Sequence, residues 1–168
     1  MSLTMYQASV PVFVQHLNGL AGSLEKAAAF ATAKKIEPAV LLGARIYPDM
    51  YPLWRQVREA TNHAVNCTAK LAGVDAPKLP ESETSIDELK ARVAAAIAFL
   101  NTIKPQQVDG AEDKTVTMQF GPNTREFKGQ GFLLGFALPN FFFHATTAYN
   151  LLRQYGIEIG KRDFMGPR

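Results

Sequence analysis

Asn140 and His144 stand four residues apart in the segment running from Phe136 to His144, so on a helix they share one face. That face is otherwise apolar, carrying Ala137, Phe141, Ala148, Leu151 and Tyr155. An imidazole and an amide inside an oily stripe are either satisfied structural groups or the polar part of a site. In a site, burial would displace the imidazole pKa into a range useful to a general base, which makes His144 the first catalytic candidate. Gln56 and His63, seven residues apart, fall on one flank of an earlier stripe, roughly 60 to 80 degrees from its centre at 100 degrees per residue. That placement lets them face a crevice between helices, although a half-exposed surface role is the simpler reading of His63. His16 lies at the margin of the first stripe and reads as surface. No two of the three histidines have the local spacing of a metal motif. The lone cysteine, Cys67, sits among apolar neighbours and reads as an inert buried thiol. The acidic run Asp109-Gly-Ala-Glu112-Asp113 lacks the alternation of oxygen ligands that calcium needs and reads as a solvated turn.

The elements that must position these residues follow from hydrophobic period. Val10, Phe13, Val14, Leu17, Leu20, Ala21, Leu24, Ala27, Ala28 and Ala31 keep helical spacing for about six turns, with Ser9 as N-cap and Pro11 in the first turn. Pro38 opens a short turn through Leu42. Asp49 precedes a second long helix to Ala72, striped by Leu53, Val57, Ala60, Ala64, Cys67 and Leu71, with Gly73 as its cap. Ser85 and Glu88 have the spacing of a capping box, and Ile86, Leu89, Val93, Ala96, Ile97 and Leu100 continue a third helix to about Ile103. Alternation over Thr115 to Lys128, broken by Gly121 to Asn123, predicts a hairpin. A fourth helix starts near Gly129 to Gly131 and ends at Gly156, kinked or opened at Pro139. The glycines at 129, 131 and 135 have the wrong spacing and no βαβ setting for a dinucleotide loop, so capping and close helix packing explain them. Ile157 to Arg168 shows no regular pattern. The fold expected is all-α, a four-helix bundle with a small β-hairpin between helices 3 and 4, forming a single domain over residues 1–168.

Composition narrows the function classes. A chain of 168 residues fills one core, and 47% hydrophobic with 20% charged residues is ordinary for a globular protein. A net charge of +3 gives no nucleic-acid surface, and the densest basic cluster, Lys161, Arg162 and Arg168, reads as a solvated tail. The first basic residue is Lys26 and no apolar run reaches a membrane span, so neither a leader nor a membrane partner is expected. One cysteine fits a reducing, cytoplasmic setting. Tyr51, Trp54, Phe132, Phe142 and Tyr149 form an aromatic surplus beyond what one bundle core readily holds, which predicts a homodimer through a helix face.

His144 followed by Leu152, Arg153 and Gly156 resembles the close of the DinB/YfiT-like superfamily, whose last helix carries His-x-x-x-His and then Leu-Leu-Arg-x-x-Gly. Over nearly the whole chain, the segments from Pro48 to Val57, Asp109 to Glu112, Ala137 to Phe141 and Gly160 to Phe164 are similar to an uncharacterised bacterial subgroup of that superfamily, a domain of unknown function. The resemblance implies the same helical bundle. It also implies a divalent ion such as zinc or nickel, held in many members by one histidine of the second helix and two of the fourth, and thiol-dependent transferase or isomerase activity in some. Carried over, His144 takes the last ligand position, Asn140 that of its paired histidine, and Gln56 the second-helix position, with His63 as a substitute from one side. Amide oxygens are weak, neutral donors for zinc or nickel. The expectation is a degenerate pocket with no cofactor. It serves either a transferase-like small-molecule enzyme with His144 as ligand or base, or a non-catalytic small-molecule binding or interaction protein.

Overall fold

The apolar stripes fold against one another in the computed structural model, which describes residues 3–167. Helix α1 spans Val10–Lys34, the short α2 Pro38–Leu42, α3 Leu53–Ala72 and α4 Ile86–Thr102. The single turn α5, Pro105–Val108, leads to strands β1, Thr115–Phe120, and β2, Asn123–Lys128. These pair antiparallel with Thr115 opposite Lys128 and Phe120 opposite Asn123. The chain then forms α6 over Gly129–Phe132, a π-helical turn over Leu133–Ala137, α7 over Leu138–Gln154 and α8 over Lys161–Met165. The described residues are thus mostly helical, with one two-stranded sheet. Helix α3 packs on α7 and α4, and α1 packs on α4, α7 and α8. Phe13, Leu17 and Leu24 meet Leu53, Leu71, Leu89, Leu100, Phe141 and Leu151 in the core, each such side chain contributing about 1.5 to 3 kcal/mol by leaving water.

Local chemistry fixes the helix ends. The capping box forms, with the Glu88 N–H donating to Ser85 Oγ at 3.1 Å and the Ser85 N–H donating to Glu88 Oε2 at 3.2 Å. Gly73 closes α3 in the left-handed region at φ 72°, where a Cβ would be strained. Ser9 does not cap α1. Its hydroxyl donates back to the Met5 carbonyl at 2.7 Å, because the chain already turns before Val10. Helix α3 begins at Leu53 rather than near Asp49, since Pro52 is extended and a residue before proline avoids helical geometry.

The opening expected at Pro139 lies one turn earlier. The Leu138 N–H donates to the Leu133 carbonyl, five residues back, and Pro139 has no N–H for the Gly135 carbonyl, so the helix widens there. Close packing explains Gly129, where a Cβ would lie 1.9 Å from the Ala111 carbonyl oxygen, but not Gly131 or Gly135, which face open space.

Within the segment after Ile157, Lys161–Met165 is helical, contrary to expectation. Helix α8 docks on α1 with its backbone nearly touching. A Cβ on Gly19 would lie 2.5 Å from the Asp163 carbonyl oxygen, and one on Gly166, at φ +72°, 2.2 Å from that of Gln15. Gln15 Nε2 donates to the Met165 carbonyl at 2.8 Å, and Lys26 pairs with Asp163 at 2.7 Å. Five residues held by such distant contacts leave no periodic signal. Lys161 and Arg162 are exposed, while Arg168 lies outside the described residues. The aromatic surplus is largely absorbed within the chain as well. Phe132 is buried, Trp54, Phe142 and Tyr149 are half-buried against the core, and Tyr51 is exposed. Asp109 is an exposed turn residue whose carboxylate also accepts from the Tyr6 N–H at 2.8 Å. No described helix is long and apolar enough to cross a membrane.

Between α3 and α4 the chain is held by a buried ion network. Arg92, only 2% exposed, pairs through Nη1 with Glu83 Oε1 at 2.7 Å. Its Nε donates to Thr61 Oγ1 at 2.7 Å, its Nη2 to Asn62 Oδ1 at 2.5 Å, and Nη1 also reaches the Pro80 carbonyl. The second Glu83 oxygen accepts from Arg58 Nε and Nη2 at 3.2 and 3.1 Å.

Candidate functional site

Packing of α3 along α7 brings Gln56 against His144. Gln56 Nε2 donates to the Tyr51 carbonyl at 3.0 Å, which leaves Oε1 as the acceptor facing His144 Nδ1 at 2.7 Å. Nδ1 therefore carries the proton, and the lone pair of the neutral ring sits on Nε2. No described residue bonds Nε2. The only enclosed side-chain polar atom without a partner among the described residues is Thr68 Oγ1, so Nε2 opens to solvent. The ring is 8% exposed, whereas its neighbours Tyr51 and Phe143 are 38% and 56% exposed. His144 thus lies beneath two more exposed aromatic residues, Tyr51 and Phe143.

The neighbours of His144 are rings. His63 lies nearly parallel to His144 with centroids 5.6 Å apart, and its other neighbour is Phe136 at 5.7 Å, edge-on. Tyr51 is parallel to His144 at 6.2 Å, and Phe143 meets it edge-on at 5.3 Å. Arg55 lies over the Tyr51 ring, 3.6 Å from its centre, and 3.7 Å from the Glu59 carboxylate. Burial, then the neighbouring His63, lowers the His144 pKa to about 4, with Glu59 opposing and Arg55 adding to the fall. Burial lowers that of His63 too, against the pull of Glu59. Both rings are therefore neutral at pH 7.

Three of the four residues singled out by sequence converge, namely Gln56, His63 and His144. Half-buried Asn140 is one turn away on α7, its Nδ2 donating to the Phe136 carbonyl at 2.7 Å rather than to Gln56 or His144. Sequence reasoning missed Tyr51, Phe136, Phe143, Arg55 and Glu59 as site residues. Glu59 was detectable, being three residues after Gln56 and four before His63 on one helical face. Tyr51 acts through a loop carbonyl, which no spacing announces. His16 is not surface. It is half-buried with Nδ1 2.9 Å from the Val12 carbonyl, and its ring meets Phe141, Phe142 and Phe164 edge-on, a cluster completed by the unforeseen α8. Cys67 is buried and burial pushes its thiol pKa up, which keeps it protonated.

The donor set does not suit a three-ligand ion. Gln56 spends its amide oxygen on His144 and its nitrogen on Tyr51, Asn140 supplies at most a neutral oxygen, and two imidazoles remain. Among the described residues no group of three or more His, Cys, Asp or Glu side chains is placed to hold a metal.

Residues 5–165 match the family model described as Domain of unknown function (DUF1993). The crystal structure of a DinB family member protein from Shewanella denitrificans superposes with a TM-score of 0.86 at 35% identity, over 97% of this chain and 92% of that one. The chain belongs to the DUF1993 family and is a DinB-like domain of unknown function. No curated protein matches it. Clefts elsewhere on this DinB-like domain, of about 650 Å³ beside Phe30 and Ile157 and about 520 Å³ beside Arg58, Asn62 and Arg92, do not include His144.

Proposed function

We propose that this DinB-like domain, built as a four-helix bundle with an inserted hairpin, binds a small molecule at the His144 recess without a resident metal ion. The observation that carries the reading is the amide-fixed tautomer. Gln56 holds the Nδ1 proton, so His144 offers one acceptor in a fixed place beneath aromatic residues. A ring with pKa near 4 stays neutral throughout the physiological range and keeps that acceptor available.

A second reading, a transferase-like reaction on a thiol, is favoured by the open Nε2. That nitrogen would take the proton of the thiol, the sulfur would attack an electrophilic carbon, and the departing group would recover the proton from the imidazolium. The low basicity of His144 makes it a weak match for this step at neutral pH, so binding is the stronger proposal.

Metal analysis and reconstruction test the reading together. Protein purified without chelator should carry zinc or nickel well below one ion per chain. Gln56→His with Asn140→His should then create metal binding and raise the melting temperature in added zinc, since only the folded state presents the imidazoles. Full metal occupancy in the wild type would overturn the metal-free reading. A folded double variant without a zinc-dependent shift would show that Asn140 does not share the recess.

A further inference from the structure

We propose that the recess selects an organic cation, a primary ammonium on an apolar or aromatic body, in preference to an anionic or uncharged molecule of the same shape; the inference rests on the small-molecule reading above. Three features converge on it. The first is the polarity of the atoms left open. His144 Nε2 can only accept, because its proton is fixed on Nδ1 by Gln56. Glu59 adds a carboxylate from α3, held only by Arg55 at 3.7 Å. A primary ammonium carries three donors and no acceptor, which matches such a set, whereas a carboxylate would face acceptors.

The second feature is the neighbouring rings. Tyr51, Phe143 and His63 lie against the His144 ring, with Phe136 edge-on behind His63, and aromatic faces attract cations through their quadrupoles. The recess already shows this preference, since one Tyr51 face hosts the Arg55 guanidinium at 3.6 Å.

The third is the sign of the local field. Arg55 is the one cation that acts on His144, and its charge is offset by Glu59. Glu59 raises the pKa of both His144 and His63, and Arg55 lowers that of His144. Glu59 thus places a carboxylate beside the two neutral rings, which favours a cation in a partly desolvated place.

Three probes on the same phenyl body test this with the intact protein: benzylammonium, benzyl alcohol and benzoate, followed by the ring signals of His144 and His63 in NMR. Benzylammonium should shift both and bind at least about tenfold more tightly than benzoate, a difference of about 1.4 kcal/mol. Glu59→Gln, at a partly exposed position, should weaken benzylammonium severalfold and benzyl alcohol by much less. Benzoate or benzyl alcohol binding as tightly as benzylammonium would overturn the cation preference while leaving the small-molecule site standing. No shift of either histidine with any probe would overturn both.

Discussion

Two buried polar clusters flank α3, and they differ in whether their bonds close. At Arg92 the guanidinium meets Glu83, Thr61, Asn62 and the Pro80 carbonyl, and Glu83 is shared with Arg58. Every group there has a partner inside the chain. At His144 the bonding runs from the Tyr51 carbonyl through Gln56 to Nδ1 and stops, leaving Nε2 bare on the solvent side. A closed network fixes a loop; an open one ends in an atom whose missing partner must come from outside. Burial alone does not separate structure from function, since both clusters are buried, but the unspent lone pair does.

The largest expected effect breaks the closed cluster. Glu83→Ala leaves the Arg92 charge buried without its counter-ion, and removing one partner of such a pair costs about 3 to 5 kcal/mol. Denaturant unfolding should show that loss, while the His144 ring signals in the folded variant stay unchanged. A cost below about 1 kcal/mol would mean that water reaches Arg92 and that the network is open like the other.

How much of this contrast is readable from sequence depends on the range of the contacts. The α3 stripe from Leu53 to Leu71 and the Ser85 to Glu88 cap are local patterns, and they form as written. Gln56 and His63 share a flank that a 100 degree projection exposes, so their meeting with a histidine of α7 was within reach. Arg92 reads as an ordinary helix charge, because its carboxylate and one carbonyl partner come from the loop holding Pro77 and Pro80 and its other partners from α3. Helix α8 was invisible for the same reason: its stability lies in the bare backbones of Gly19 and Gly166, and the burial of His16 under Phe164 was hidden with it.

A middle effect probes the open cluster by pH. The folded His144 pKa of about 4 lies below the ordinary value of 6.5, and His63 is lowered as well. The unfolded chain therefore binds more protons between these values, so stability is fully present above about pH 6.5 and is lost as pH falls toward 4. His144→Phe should flatten the part of this slope that His144 supplies, measured as unfolding midpoints across that window. An unaltered slope would place the titration elsewhere and show His144 to be solvated like a surface histidine.

The smallest effect concerns a polar atom that belongs to neither class. Thr68 is fully buried on α3, and its Oγ1 has no partner among the described residues, although it is neither bonded like Arg92 nor open like His144. If the hydroxyl is an unpaired group in an apolar setting, Thr68→Val removes a desolvation cost without losing a bond. Both residues are β-branched with similar helix propensity, so the backbone term nearly cancels. The variant should be more stable by about 1 kcal/mol, within the range of penalties measured for unpaired buried hydroxyls, seen as a higher denaturant midpoint at unchanged slope. A variant that is less stable instead would reveal a buried water on Thr68, because removing the hydroxyl would then strand the water's own bonds. In that case Thr68 joins the closed class, and an unspent polar atom marks a site only where, as at His144 Nε2, it also faces an opening.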